Sequence, residues 1–427
     1  MSASLVGSEM CIRDRYINLP DDLQQLEDSF TCCIRQLNDF KTFGSFPDHV
    51  QMFPSITNGE VTLHPDALKI FIELGRIKDC LLTKLQHTES SIFEQKRRLY
   101  LLSQCTHLIS SISAYRGKDL LYQLYFIQDR IKSRPFADNK RLATLEEKEL
   151  APDVHEEEPV PYDQQLSQFK IALSMLPPNW NVVTIDICER TGDLLISKIR
   201  AGNLPTFIRL SVTRFKQRES VGTLRFDEMK REFKRIFQEN RKSTLYSTTS
   251  LVKTTQDRKK WWKTRFTLDY ELQDLILHVE RFWFGGFRGI FEPVGSTFGE
   301  FRLDLIKILR SHISEKIEHS ISLNEVVYEC FYGLESYDRA CIDDLLAFLM
   351  EILSFHLDVE ATRVNFEKLH ESIASLIDKC QNRQSSDHIV LIPSARCSFF
   401  PWESLLFLRS KSVSRMPSVS MLVDALN

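Results

Sequence analysis

From Leu19 to about Leu145 apolar positions recur at three- and four-residue steps, the spacing of one helical face. Asp21 or Asp22 can cap a first helix running through Leu23, Leu26, Phe30 and Ile34. The stretch Gly44 to Gly59 breaks the pattern. Pro65 then stands where a first helical turn favours it, with Asp66 beside it, and Leu68, Phe71, Ile72, Leu74, Ile77 and Leu81 follow. Residues Ile92 to Ile112 and Lys118 to Ile131 read the same way, and Arg134-Pro135 closes the last helix. The pattern predicts an all-helical arm over residues 16–145, with no fixed-length repeat.

The period changes after residue 165. Trp180 to Ile187, Asp193 to Arg200 and Thr206 to Thr213 are rich in β-formers, and the Gly-containing stretch Cys188 to Gly192 predicts a hairpin between the first two. Phe226 to Gln238 is amphipathic, with Met229, Phe233, Ile236 and Phe237 on one side. A long helix capped by Asp257 is expected to run through Trp261, Phe266, Leu268 and Val279 and to end at Gly285-Gly286. Further helices are expected at Phe298 to Glu318, Asp343 to Leu357 and Ala361 to Cys380. Ile389 to Ile392 is a continuous apolar run between His388 and Pro393, the signature of a central strand covered on both faces. Strands separated by long helices indicate an α/β sandwich with a mostly parallel sheet.

Composition refines this only locally. With 427 residues, 26% of them charged, and a net charge of -3, nothing global points to nucleic acid or an anionic membrane. Glu146 to Asp163 carries eight acidic residues, one lysine and three prolines with little to bury, so residues 146–165 read as an acidic linker, or else as an acidic docking or self-inhibitory segment. Met1 to Arg15 reads as a disordered or artefactual leader. The ten cysteines show no CxxC and no zinc-finger spacing, which fits reduced thiols and no metal or other cofactor. Lys253 to Arg265 holds six positive charges and two tryptophans against one aspartate. Trp261, Phe266 and Leu268 are expected roughly on one side of the helix, with Arg258, Lys259 and Lys263 largely off it; a solvated helical face, an acidic protein partner and nucleic acid all suit such a mixture.

Several runs resemble the separase family, with wording similar to its budding-yeast members. They are Leu176-Pro177-Pro178-Asn179-Trp180; Thr191-Gly192-Asp193-Leu194 with Ile196-Ser197-Lys198; Lys259-Lys260-Trp261-Trp262; and Trp283-Phe284-Gly285-Gly286-Phe287-Arg288-Gly289-Ile290-Phe291. The most specific is the series His388-Ile389-Val390-Leu391-Ile392-Pro393, Phe400-Pro401-Trp402-Glu403-Ser404-Leu405 and Ser414-Arg415-Met416-Pro417-Ser418. The resemblance covers about Gln164 to Asn427. It implies a caspase-like α/β fold after a helical arm, with a pseudo-protease or substrate-docking domain at 166–297 and the first part of the catalytic domain at 298–427.

The implied activity is that of a cysteine endopeptidase that cleaves the kleisin subunit of cohesin after arginine at anaphase. A securin-like inhibitor would be its partner, and nucleus and cytoplasm its location. The implied mechanism is acyl transfer: a Cys sulfur attacks the carbonyl, a His moves the proton, and backbone amides hold the oxyanion. In the family the His follows a further strand and the Cys lies in a Gly-Cys-Ser context. This sequence has neither, so no catalytic residue is assigned and the chain alone is expected to be inactive, ending inside a domain and leaving sheet surface and a strand edge open.

His388 and Cys397 lie across a strand, roughly 20 Å or more apart at about 3.3 Å per residue, which excludes them as a dyad. Trp402 is expected to pack at the start of a short helix, and Glu403 to serve that helix electrostatically or pair with Arg409 or Arg415. Gly285, Gly286 and Gly289 lack the context of a phosphate loop and are expected to admit bulky aromatics near a tight turn. The competing reading is a non-catalytic helical scaffold that binds proteins. Direct nucleic-acid binding and membrane association are not expected.

Overall fold

A computed structural model describes residues 21–39, 65–86, 92–112, 120–134, 139, 160–188, 192–210, 224–317, 323, 325–357, 364–380 and 387–426. The leader 1–15, the break at 44–59 and nearly all of the acidic stretch from 146 to 159 lie outside the described residues.

The run Ile389 to Ile392 forms the heart of a strand, here β4 (His388–Pro393), and every residue after His388 in it is buried. Side chains alternate across a strand, so an all-apolar run must find cover on both faces. Ile389 and Leu391 enter one core with Val183, Ile185 and Ile187 of β1 (Trp180–Ile187). Val390 and Ile392 enter another, with Val182 of the same strand. The five strands run in the order β3-β2-β1-β4-β5, where β2 is Leu194–Ile199, β3 Thr206–Leu210 and β5 Val413–Arg415.

The sheet is mixed rather than mostly parallel. β4 pairs in parallel with β1 and β5, as expected, whereas β1–β2 and β2–β3 are antiparallel. Connection length decides this, because a short turn reverses the chain and parallel pairing needs a long crossover. The turn after β1 closes through Cys188 N–H to Asp193 O (2.8 Å) and Gly192 N–H to Cys188 O (2.9 Å), with Gly192 at φ 75°. β1–β3 precede residue 298 and β4–β5 follow it, so one sheet and one core draw on both sides of the division expected there. β4 itself is flanked on both edges, and the sheet ends instead on the three-residue β5.

Helices cover each face. The arm comprises α1 (Asp21–Asp39), α2 (Pro65–Gln86), α3 (Ile92–Ile112) and α4 (residues 120–134). Leu23, Phe30, Leu74, Ile77, Leu81, Leu102 and Ile127 make its core. Leu124, Tyr125 and Phe126 of α4 turn instead to the sheet, where they meet Phe169 of α5 (Tyr162–Ser174) and Val390. The opposite face carries α6 (Phe226–Thr244), α7 (Thr255–His278), α8 (Phe298–His312), α9 (Glu325–Tyr332), α10 (Arg339–Leu357) and α11 (Phe366–Lys379).

The expected cap of α7 shifts by three residues. Thr254 caps it, accepting from Asp257 N–H (3.1 Å), while the Asp257 carboxylate returns to Thr254 N–H (3.0 Å). This is a capping box, in which Asp257 occupies the third helical position and not the cap. Past α7 a π turn (Val279–Phe284) leads to Gly285 at φ 51° and a 3-10 segment (Gly285–Phe291), so the helical course does change at the glycine pair. None of the described helices is long and apolar enough to cross a membrane.

Candidate functional site at the carboxyl ends of the parallel strands

In open α/β sheets ligands and chemistry gather beyond the carboxyl ends of parallel strands. β1, β4 and β5 share that edge, which begins at Ile187, Pro393 and Arg415. The loop leaving β4 folds back onto it. Ser394 N–H donates to Ile185 O (2.8 Å), and the Cys397 thiol donates to the same carbonyl (3.3 Å). Trp402, fully buried, donates its indole N–H to Cys397 O (2.8 Å) and packs against Phe400 (centroids 4.8 Å apart) and Phe284. It begins a short 3-10 turn, Trp402–Ser404, in the packing role expected of it.

Glu403 chooses Arg415. The guanidinium Nε and Nη2 bond its two carboxylate oxygens at 2.7 and 2.6 Å, while Nη1 and Nη2 also reach Ser398 O (2.7 Å) and Phe400 O (3.0 Å). Partial burial opposes ionisation, yet the Arg415 fork holds the Glu403 carboxyl below its usual range. Arg415 thus ties the end of β5 to the loop after β4. Next, Met416 N–H extends the pairing to Leu391 O (2.9 Å), and Ser418 caps α12 (Val419–Asp424) by accepting from Met421 N–H (3.1 Å).

A residue that sequence reasoning missed completes this end. Asp129 of α4 is buried and receives Val419 N–H (2.5 Å), Ser420 N–H (3.1 Å) and the Ser420 hydroxyl. Burial pushes its carboxyl up, against the pull of these donors. The arm therefore grips the first turn of α12 through one carboxylate. The signal was an aspartate two residues after the buried apolar run Leu124, Tyr125, Phe126 and Ile127. Glu280 does the same on the other side of the sheet, accepting Leu406 N–H (2.7 Å) beside Arg288.

None of this assembles a nucleophile and base. Burial pushes the Cys397 thiol up to about 12, Cys341 to about 12 and Cys33 to about 11. A thiol is nucleophilic only as thiolate, and at pH 8 a pKa near 12 leaves about one in ten thousand ionised. His388 stands at the other end of β4, its two ring nitrogens against the hydroxyls of Ser412 (2.7 Å) and Ser414 (2.8 Å). His278 accepts from Leu224 N–H, His370 meets Asp343 and His312 meets Ser372. Iodoacetamide at pH 8 is expected to label exposed Cys32 in the native protein and Cys397 only after denaturation. Peptide mapping checks this, and equal labelling rates would refute the buried-thiol assignment.

The glycines serve close approach, but to the backbones of α10 and α9 and not to the aromatic rings expected there. A Cβ on Gly286 would lie 2.3 Å from Cys341 O, and one on Gly289 would lie 2.1 Å from Cys330 O. The surrounding Phe284, Phe287, Ile290 and Phe291 are fully buried.

The basic-aromatic helix departs from expectation. Trp261 and Leu268 face inward, with the Trp261 indole donating to Ser243 O (2.9 Å), but Phe266 is 67% exposed. Five residues turn a helix by about 140° beyond a full turn, which places Phe266 far from the Trp261 side.

Residues 189–427, more than half of the chain, match the family described as separin, protease domain. The chain belongs to the separin family. It is 33% identical over 257 residues to separin of Saccharomyces cerevisiae, covering 56% of this chain and 16% of that protein. It is 30% identical over 271 residues to separin of Schizosaccharomyces pombe, covering 60% of this chain and 15% of that one. The chain thus spans under a fifth of these separins. A crystal structure of the Saccharomyces cerevisiae separase-securin complex superposes with a TM-score of 0.75 over 95% of this chain and 27% of that one, at 24% identity. The fold is therefore that of the separase caspase-like region with the helices before it. In the separin chain the motif residues Trp402, Glu403 and Arg415 hold the strand ends in place.

Proposed function

We propose that this separin chain supplies scaffold and docking surface to a cysteine endopeptidase that cleaves the kleisin subunit of cohesin after arginine, releasing sister chromatids at anaphase. A securin-like inhibitor is its proposed partner, and nucleus and cytoplasm its proposed location. The match to the separin protease domain supports the reaction class. The observation that carries the scaffold role is the strand-end architecture: the Arg415 fork, the Trp402 plug and the Asp129 grip on α12 fix β4 and β5 in place without presenting an ionised thiol. Such rigid support is what a catalytic pair needs from its neighbours.

The purified 427-residue chain, incubated with a kleisin peptide containing the arginine site, is expected to release no product. Arginine-directed cleavage that disappears on thiol alkylation would overturn the scaffold reading. Capture of a securin-like inhibitor by the same sample would support it.

A further inference from the structure

The outer face of α7 has no partner among the described residues, and its chemistry is ordered along the axis. Trp262, Phe266 and Tyr270, one turn apart, are 52%, 67% and 71% exposed. The Trp262 and Phe266 rings stack on each other at 5.8 Å and 29°. Exposed Arg258, Lys259 and Lys263 surround the aromatic stripe on its N-terminal side, and exposed Asp269 and Asp274 on its C-terminal side. A shallow groove over Arg258, Lys259, Trp262, Lys263, Phe266 and Tyr270 lies on this face.

Such a face is unsuited to nucleic acid, whose phosphates would meet the acidic half, and the stacked rings already use one face each. It is suited to its own antiparallel copy. A two-fold axis passing at the level of Phe266 brings the two Phe266 side chains together and sets Trp262 level with Tyr270 of the other copy. The same operation puts Lys263 on the flank that carries Asp274 of the other copy, and Arg258 on the flank that carries its Asp269, each pair five residues apart along the axis. Charge reversal about the centre is the requirement for an isologous contact, in which each half meets the other half's complement.

We propose that this face of α7 is a homodimer contact, an antiparallel helix pair centred on Phe266. The 24 residues of α7 extend about 36 Å. A two-helix contact of this length lies at the small end of specific interfaces, below about 1,200 Å² in total, so the dimer forms weakly and in proportion to concentration. Its ionic part is exposed and screened by salt.

Sedimentation equilibrium of the whole chain is expected to show a monomer–dimer equilibrium that weakens as salt rises. Phe266→Glu is expected to raise the dissociation constant at least about tenfold, as for an aromatic at the centre of a contact. Lys259→Glu/Lys263→Glu and Asp269→Lys/Asp274→Lys are each expected to be monomeric alone and to associate when mixed. Thermal melts of the variants should match the parent, since every substituted side chain is exposed. A parent that stays monomeric at all concentrations, dimers unaffected by these changes, or charge variants that fail to complement would each overturn the proposal. Binding of the parent to an acidic peptide or to single-stranded DNA in place of self-association would likewise overturn it and assign the face to that ligand.

Discussion

Gly289→Ala is expected to destabilise the protein by about 3 kcal/mol or more, the upper end of what overpacking does. The added methyl would lie 2.1 Å from Cys330 O, 2.9 Å from its carbonyl carbon and 3.0 Å from its Cα, all backbone atoms. A flexible side chain can swing aside, whereas a helix backbone moves only with its helix. Cys330 lies in α9, where Val326, Val327, Tyr328, Phe331 and Tyr332 are buried around it. On the other side Gly289 is held between Phe287, Ile290 and Phe291. The contact is reciprocal, since a Cβ on Gly333 would meet Gly289 Cα at 2.5 Å. Relief would require α9 to part from the 3-10 segment and open the largest core among the described residues. Gly299→Ala is the matched control: nothing lies within 4 Å of its Cβ, and it sits in the first turn of α8. There alanine should be neutral or stabilise by up to about 1 kcal/mol. Urea melts of the two variants check the pair, and equal midpoints would refute close approach as the reason for Gly289.

The positions legible in the sequence are those whose physics is local. β4 was legible because four apolar residues between His388 and Pro393 must be buried on both faces wherever the strand lies. The arm helices were legible from spacing, and Ile92–Ile112 falls where expected. The pairing of β1 with β4 was not, since Trp180 opposite His388 is a contact across some two hundred residues that no local pattern encodes. Phe266 was misplaced because exposed aromatics break the rule that large apolar side chains mark the inner face. At the strand ends, resemblance pointed to Trp402, Glu403 and Arg415, but left open whether Glu403 would meet Arg409 or Arg415. Arg415 sits on β5, beside the loop after β4, and the other does not. Asp129 was missed for the opposite reason: its partner α12 lies 290 residues away in the chain.

Lys198→Met should cost about 3–5 kcal/mol, the penalty for leaving one charge of a buried pair without its partner. Lys198 lies in β2 with its side chain 3% exposed, and its ammonium donates to a Glu329 carboxylate oxygen (2.8 Å) and to Glu292 O (3.1 Å). Glu329 belongs to α9, so this ammonium joins the sheet to the helix that Gly289 packs against. Removing it strands a carboxylate that is itself only 12% exposed. It also leaves Glu292 O without that donor at the end of the 3-10 segment. A double variant, Lys198→Met with Glu329→Leu, is expected to recover most of the loss, because two apolar side chains of similar volume need no mutual compensation. The double-mutant cycle separates the two contributions. If the single variant melts like the parent, the ion pair is incidental to folding. If the double variant is as damaged as the single, the role of Lys198 lies in its bond to Glu292 O, and the joint between sheet and α9 must be held by packing alone.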